Sequence, residues 1–170
     1  MINSQTHPFK PIFDNNSKIL ILGSFPSVVS RKFGFYYANP QNRFWRVLTG
    51  ILNANVPEST DEKIKFLLSH HIAIYDAAIS CEIEGSSDAK MSKIVPANLK
   101  PIFKEANIRQ VYANGGKAYE ICKKYLESGI IKATKNEVIK LPSTSPANAK
   151  FSLEKLKCEW KVVAKAVIES

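Results

Sequence analysis

Four short apolar runs punctuate the chain, each bounded by glycine, asparagine or proline: KILILG (18 to 23), IAIYD (72 to 76), RQVYANG (109 to 115) and VIKLPS (138 to 143). Runs this short and continuously apolar predict strands buried on both faces, as in a parallel sheet. Between and after them the apolar positions predict helices over 41 to 53, 61 to 70, 97 to 106, 116 to 127 and 152 to 168. Leu153, Leu156, Trp160, Val163 and Ala164 form one stripe along the last of these. Pro101 argues against helix over 98 to 103, because it removes a backbone donor and crowds the preceding turn. The polar stretch EGSSDAKMSK (84 to 93) predicts the longest mobile loop.

Strands that alternate with helices predict a three-layer αβα sandwich around a central four-stranded, mainly parallel sheet. Such sheets bind ligands at the carboxyl ends of their strands. Those ends carry GSFPS (23 to 27), YDAAISCE (75 to 82), ANGGK (113 to 117) and LPSTSPAN (141 to 148), so the chemistry is expected there.

Length and composition fit one domain, 1 to 170, with 45% hydrophobic residues to build its core and no internal repeat or linker. The net charge of +9, from 24 Lys and Arg against 15 Asp and Glu, points to a polyanion or an anionic membrane surface. The chain holds no apolar run of about 18 residues. It also opens without the apolar segment of a signal peptide. A cytoplasmic or nucleoid-associated protein is expected. Asn15-Asn16-Ser17 then matches a glycosylation site only in spelling. Cys81, Cys122 and Cys158 stand singly, too few for a four-cysteine cluster and expected as buried or half-buried reduced thiols. His70 and His71 fall at a predicted helix end, and no metal site is expected.

In GSFPS, Gly23 allows a tight turn, and Ser24 and Ser27 can offer hydroxyls and backbone N–H groups to an anion. A plain Ser-Pro turn after a strand explains the same residues. In LPSTSPAN, the hydroxyls of Ser143, Thr144 and Ser145 can bond phosphate oxygens. Here the plain alternative is a turn leading into the helix near Ser152. Between these motifs lies YYANPQNRFW (36 to 45), with four aromatics and three amides in ten residues. Asn39-Pro40 suits a helix N-cap followed by its first turn. Capping leaves unexplained the two tyrosines expected at the surface, Tyr36 and Tyr37, and the polar pair Asn42 and Arg43. An aromatic face beside a group of amides suits a pocket for a flat heterocycle, stacked on one side and hydrogen-bonded along its edge.

GSFPS, FYYANPQNRFWRVL (35 to 48) and LPSTSPAN, in that order on an alternating α/β chain, resemble the uracil-DNA glycosylase superfamily. The middle block is similar to that of the mismatch-specific uracil/thymine enzymes. The chain as a whole more closely resembles the hypoxanthine-DNA glycosylase (DNA-deoxyinosine glycosylase) branch, which also shares YDAAISCEIEGSSDAK (75 to 90). The resemblance spans 18 to 148. One position departs from most of the superfamily, because Phe25 stands where an Asp or Asn positions the attacking water. The hypoxanthine branch shares this loss, and resemblance to it moves the role to Asn39.

The resemblance implies a glycosylase that flips a deaminated base out of DNA and hydrolyses its N-glycosidic bond. Asn39 would orient the water and Tyr37 would stack on the base. Ser24, Asn42 and backbone N–H groups near Phe25 would stabilise the departing base, while Asp76 would recognise a purine N–H or protonate the base. Ser27, Arg43, Ser143, Thr144 and Ser145 are the expected DNA contacts, with a wedge from residues 146 to 151. A monofunctional enzyme without metal or organic cofactor is expected, with DNA containing a deaminated base as partner and no obligate protein partner. Three alternatives remain: a mismatch-type uracil/thymine glycosylase, a catalytically inert DNA-binding module, and an α/β protein that binds free nucleotides.

Overall fold

In the computed structural model, which describes residues 2–84 and 91–168, the chain runs through β1 (Ile2–Thr6), β2 (Ile19–Gly23), α1 (Val28–Phe33), α2 (Phe44–Ile51), α3 (Thr60–Ser69) and β3 (Ile72–Asp76). It continues through β4 (Ala78–Glu84), β5 (Met91–Pro96), α4 (Lys100–Glu105), β6 (Gln110–Asn114) and α5 (Gly116–Ile121). A π-helical turn (Cys122–Leu126), α6 (Glu127–Thr134), β7 (Ile139–Leu141) and α7 (Leu153–Ile168) follow. The central sheet has the order β3-β2-β6-β7, and every neighbouring pair is parallel. Both faces of β2 are buried, which explains its unbroken apolar run.

Ile19, Ile21, Ile72 and Ile74 pack on one face against Phe44, Val47 and Leu48 of α2, Phe66 and Leu67 of α3, and Leu156, Trp160 and Val163 of α7. Leu20, Leu22, Ala73 and Val111 face the other way, toward Ile102 of α4, Ala118 and Ile121 of α5, and Ile130 of α6. This is the expected three-layer αβα sandwich. Trp160 is fully buried, and its Nε1–H donates to Pro142 O at 3.0 Å, tying α7 to the turn after β7.

A second sheet, absent from the sequence reading, has the antiparallel order β1-β4-β5. Ile79, Cys81 and Ile83 alternate with Ser80 and Glu82 in β4, a period-two pattern obscured by its continuity with β3. The β1 sequence INSQT carries no comparable pattern. The expected loop over 84 to 93 is corrected at its ends, since Glu84 closes β4 and Met91 to Lys93 begin β5. Residues 85 to 90 lie outside the described residues.

Helix boundaries also moved. Helix α4 forms despite Pro101, because the proline occupies the first turn, where its missing N–H costs nothing. The helix expected over 116 to 127 runs to Thr134 through the π-helical turn. Helix α2 starts at Phe44 rather than 41, and Asn39 is not its N-cap. Instead Asn39 Oδ1 accepts from Gln41 N–H at 2.9 Å, making a local turn. The Arg43 N–H leaves the helix path to donate to Thr144 O at 3.0 Å. Cys81 and Cys122 are buried as expected, whereas Cys158 is exposed on α7. Among the described residues no helix is long and apolar enough to cross a membrane.

Candidate active site

The carboxyl ends of all four parallel strands open into one cleft of about 940 Å³. Gly23 and Asp76 come from β2 and β3, Asn114 from β6, and Leu141 from β7. Arg31, Lys117 and Lys140 also line the cleft, whereas Asp76 is its one acidic residue among those described. The local field therefore favours an anionic ligand along the rim. Among the described residues no group of three or more His, Cys, Asp or Glu is placed to hold a metal ion.

At the floor, Asp76 is 3% exposed. Its Oδ2 lies 2.7 Å from Nε2 of His7, a residue that the sequence reading missed. His7 comes from the segment after β1, which is anchored where the His7 N–H donates to Ile79 O at 2.6 Å. The other carboxylate oxygen, Oδ1, lies against Gly23. A Cβ on Gly23 would overlap that oxygen and come within 3.0 Å of Tyr37 Oη. Glycine is thus required here for close approach rather than for backbone freedom, and Asp76 Oδ1 and Tyr37 Oη converge above it.

The block 36 to 45 divides between core and cleft. Tyr36 is only 2% exposed and not the surface residue expected, and its hydroxyl donates to Lys10 O at 2.7 Å. Burial pushes this phenol well above its ordinary range, and the nearby Asp76 charge adds to the effect. Tyr37 is half-buried and has φ of 50°, a left-handed conformation that is strained for a residue with a side chain. Its ring stacks on Phe44 at 3.8 Å and 13°, and its carbonyl accepts from Trp45 Nε1–H at 3.2 Å. These contacts hold the strained backbone and present the ring at the cleft.

Asn39 and Asn42 both line the cleft. Asn42 Oδ1 accepts from Phe44 N–H at 2.9 Å and from the Thr144 hydroxyl at 2.8 Å, which fixes the orientation of the amide with its oxygen committed to the protein. Thr144 Oγ1 in turn accepts from Asn114 Nδ2 at 3.0 Å, and Asn114 Oδ1 accepts from Thr144 N–H at 3.1 Å. Asn114 Nδ2 also lies 3.4 Å from Tyr37 Oη. Asn114, missed in the sequence, therefore links the amide block, the turn after β7 and the tyrosine. Gly115, at φ of 98°, lets that turn approach, since a Cβ there would meet Ser143 Cβ at 3.0 Å.

Two expected phosphate contacts are internal instead. Thr144 has no exposed surface, and both roles of its hydroxyl are taken by Asn42 and Asn114. Arg43 directs its guanidinium at the carbonyls of Phe151, Ser145 and Asn148, the last two at 3.0 Å, and so shapes the segment 145 to 151. Ser27 caps α1, accepting from Ser30 N–H at 3.1 Å. Ser143 and Ser145 accept from backbone N–H groups two residues on, at 3.1 and 3.2 Å, so their hydroxyl hydrogens remain as donors. Ser24 and Phe25 are nearly buried in the cleft wall, where Arg31 Cζ stands 5.6 Å from the Phe25 ring centroid.

A sheet of this order, with amides and a carboxylate gathered at its strand ends beside three cations, defines an α/β protein with one polar cleft at the carboxyl edge of its sheet. The chain belongs to the uracil DNA glycosylase superfamily, whose family model matches residues 11–167. It is 31% identical over 157 residues to the hypoxanthine DNA glycosylase of Methanosarcina acetivorans, covering 91% of this chain and 95% of that one. It is 33% identical over 155 residues to the hypoxanthine DNA glycosylase of Methanosarcina barkeri, covering 89% and 93%. A solution NMR structure of a Methanosarcina acetivorans protein assigned as a uracil DNA glycosylase superposes with a TM-score of 0.80 at 30% identity, covering 99% of both chains. Family membership implies DNA as the substrate and hydrolysis of an N-glycosyl bond as the reaction class.

Proposed function

We propose that the protein is a monofunctional glycosylase that excises hypoxanthine from DNA. The observation that carries this reading is the Asp76 carboxylate at the cleft floor, 3% exposed, with one oxygen lodged against Gly23. Hypoxanthine carries a ring N–H beside its carbonyl, and a carboxylate oxygen accepts that hydrogen. Adenine has a lone pair at the same nitrogen, so oxygen would face lone pair and the parent base would be rejected. The names of the two Methanosarcina relatives support the same substrate.

The flipped base would stack on the face of Tyr37 opposite Phe44. Asn42 would direct its NH2 at the base edge, with Ser24 and the N–H groups near Phe25 as further donors. Asn39 has one carbonyl lone pair engaged by Gln41 N–H, and the other would orient water toward the anomeric carbon. An amide is too weak a base to deprotonate water in the ground state, so its contribution is placement and dipole stabilisation of the cationic sugar. As the C1′–N bond breaks, its electron pair leaves with the base, whose anion meets the donor groups. Water adds its oxygen to C1′ and its released proton passes, directly or through solvent, to the base anion, leaving an abasic site and a neutral free base. Lys117, Lys140, Arg31 and the hydroxyls of Ser143 and Ser145 would hold the flanking phosphates, with a wedge from residues 146 to 151.

One observation favours a second reading in the same class. The structural neighbour is assigned as a uracil DNA glycosylase, and the uracil ring N–H would meet the same carboxylate. Single-turnover base release from duplexes carrying hypoxanthine, uracil, xanthine or mismatched thymine separates the readings, with Asn39→Ala in parallel. Preferred hypoxanthine release, reduced by about 100-fold or more in Asn39→Ala with DNA affinity retained, is the expected result. Preferred uracil release selects the second reading. Salt-sensitive binding without any release would identify an inert binding module, and covalent trapping by borohydride would overturn the monofunctional mechanism.

A further inference from the structure

His7 lies outside the cleft lining, yet it touches Asp76, the one acidic group among the described residues that line it. Its side chain is 2% exposed. The rings of Phe9, Phe25, Tyr36 and Tyr75 surround the imidazole at centroid distances of 5.4, 5.8, 5.8 and 5.0 Å, which keeps water from competing for its hydrogen bonds. Nδ1 lies 2.9 Å from Phe9 O and 3.1 Å from Phe9 N, so the backbone supplies both an acceptor and a donor to that nitrogen. With Nδ1 accepting from the Phe9 N–H, the neutral ring carries its hydrogen on Nε2 and donates it to Asp76 Oδ2 at 2.7 Å; with Nδ1 donating to Phe9 O, the imidazolium makes the same bond. The ring is thus clamped at both nitrogens and on its faces.

Resting on the reading of Asp76 as the acceptor for a base N–H, we propose that His7 is the positioning residue for that carboxylate and so a determinant of base selection. A carboxylate held only by its own side chain rotates about χ2 and can swing either oxygen away. Holding Oδ2 on His7 leaves Oδ1 as the oxygen presented beside Gly23, under the converging Tyr37 hydroxyl. The second sheet thereby gains a role in the site. Strand β1 pairs with β4 in register from Ile2↔Glu84 to Thr6↔Ser80, and this pairing delivers the next residue, His7, to the end of β3.

The test uses His7→Leu, His7→Gln and Asp76→Asn in the full chain, with single-turnover release of hypoxanthine and of adenine measured over a range of enzyme concentrations. Leu fills much of the imidazole volume without a donor, whereas the Gln amide nitrogen reaches near the imidazole Nε2 position. His7→Leu should lower the maximal rate for hypoxanthine by roughly 10- to 100-fold, the scale of one charge-assisted hydrogen bond. The hypoxanthine-to-adenine ratio should fall with it toward that of Asp76→Asn, and binding to an abasic duplex should stay at the wild-type level. His7→Gln should restore both rate and ratio to within about fivefold of wild type, since it restores the donor.

A His7→Leu enzyme with wild-type rate and selectivity overturns the proposal. So does a His7→Gln enzyme that loses as much as His7→Leu in step with a lowered melting temperature, which is the mark of a purely structural residue. If His7→Leu does not fold by circular dichroism, His7→Gln decides: selectivity near wild type supports the proposal, and selectivity near Asp76→Asn overturns it. If the wild type releases no base, the functional reading fails first. The pairing is then read from the His7 imidazole nitrogen resonances, which should move in Asp76→Asn, and unmoved resonances overturn the proposal independently.

Discussion

Thr144→Val tests whether the buried amide network governs both stability and the site. The two side chains are nearly isosteric, but valine replaces a hydroxyl that donates to Asn42 Oδ1 at 2.8 Å and accepts from Asn114 Nδ2 at 3.0 Å. The position has no exposed surface, so water does not replace either bond. Each partner keeps another contact, Phe44 N–H for Asn42 and Tyr37 Oη for Asn114, which puts the loss at the low end for buried groups. About 1 kcal/mol for each lost bond, with a further fraction for desolvation, gives about 2 to 3 kcal/mol. Urea unfolding should show this as a midpoint lowered by about 1 M, given slopes of roughly 1 to 3 kcal/mol per M.

The Asn42 amide would also lose one of the two contacts that fix its orientation, so base release should slow by about tenfold or more. Thr144→Ser is the control, because it keeps the oxygen and loses only a methyl group, at a cost of about 1 kcal/mol. A valine variant within about 0.5 kcal/mol of wild type would refute the network argument, since ordinary surface substitutions fall in that range. So would a serine variant as defective in base release as valine.

Gly23→Ala should force Asp76 Oδ1 aside, lowering single-turnover release by about 10- to 100-fold while abasic-duplex binding is retained. If Lys117, Lys140 and Arg31 each neutralise one phosphate, replacing all three with alanine should make the log–log salt slope of duplex binding shallower by about 2.7. An unchanged slope would place the phosphate grip elsewhere. Tyr36 has its folded-state pKa raised above the ordinary 10.0, so the unfolded chain ionises first. The associated stability is present in full below pH 10.0 and falls above it by about 1.4 kcal/mol per pH unit. Tyr36→Phe should lose about 1 kcal/mol at neutral pH and show a shallower alkaline decline, as read by urea midpoints from pH 8 to 11. A disulfide thiol reagent at pH 8 should modify exposed Cys158 quickly and buried Cys81 and Cys122 only on unfolding, burial having pushed the Cys122 thiol up to about 12.

The parallel sheet was legible because strands buried on both faces leave an uninterrupted apolar run, as in Ile19 to Leu22. The strand-end rule then located the cleft from topology alone. Contacts between distant segments were not legible. Asn39-Pro40 has the local form of a helix start, yet the helix is deferred because the Arg43 N–H finds Thr144 O in the turn after β7. His7 and Asp76 are 69 residues apart, joined by a strand whose residues Ile2 to Thr6 show little pattern. Asn114 was visible in ANGGK as the end of a strand, but nothing local shows that it bridges Thr144 and Tyr37.

Membership in a motif and contact with substrate are therefore separate properties in this site. Ser143, Thr144 and Ser145 are adjacent and chemically alike, yet burial divides them. The middle hydroxyl is fully engaged inside the protein, while its neighbours retain a hydrogen for a ligand. Arg43 is the most conspicuous cation of its block, but its guanidinium orders the carbonyls of 145 to 151 rather than facing outward. An anion grip assembled from the motifs would include both residues. One assembled from accessible hydrogen-bonding capacity includes neither, since the unpartnered Nε of Arg43 is buried, and moves to Lys117, Lys140 and Arg31, which line the cleft. The internal residues still bear on function, because they set the orientation of Asn42 and the path of the segment expected to supply the wedge. Substituting Thr144 or Arg43 would thus alter activity without removing a DNA contact, and the salt dependence of binding distinguishes that effect from loss of a phosphate ligand.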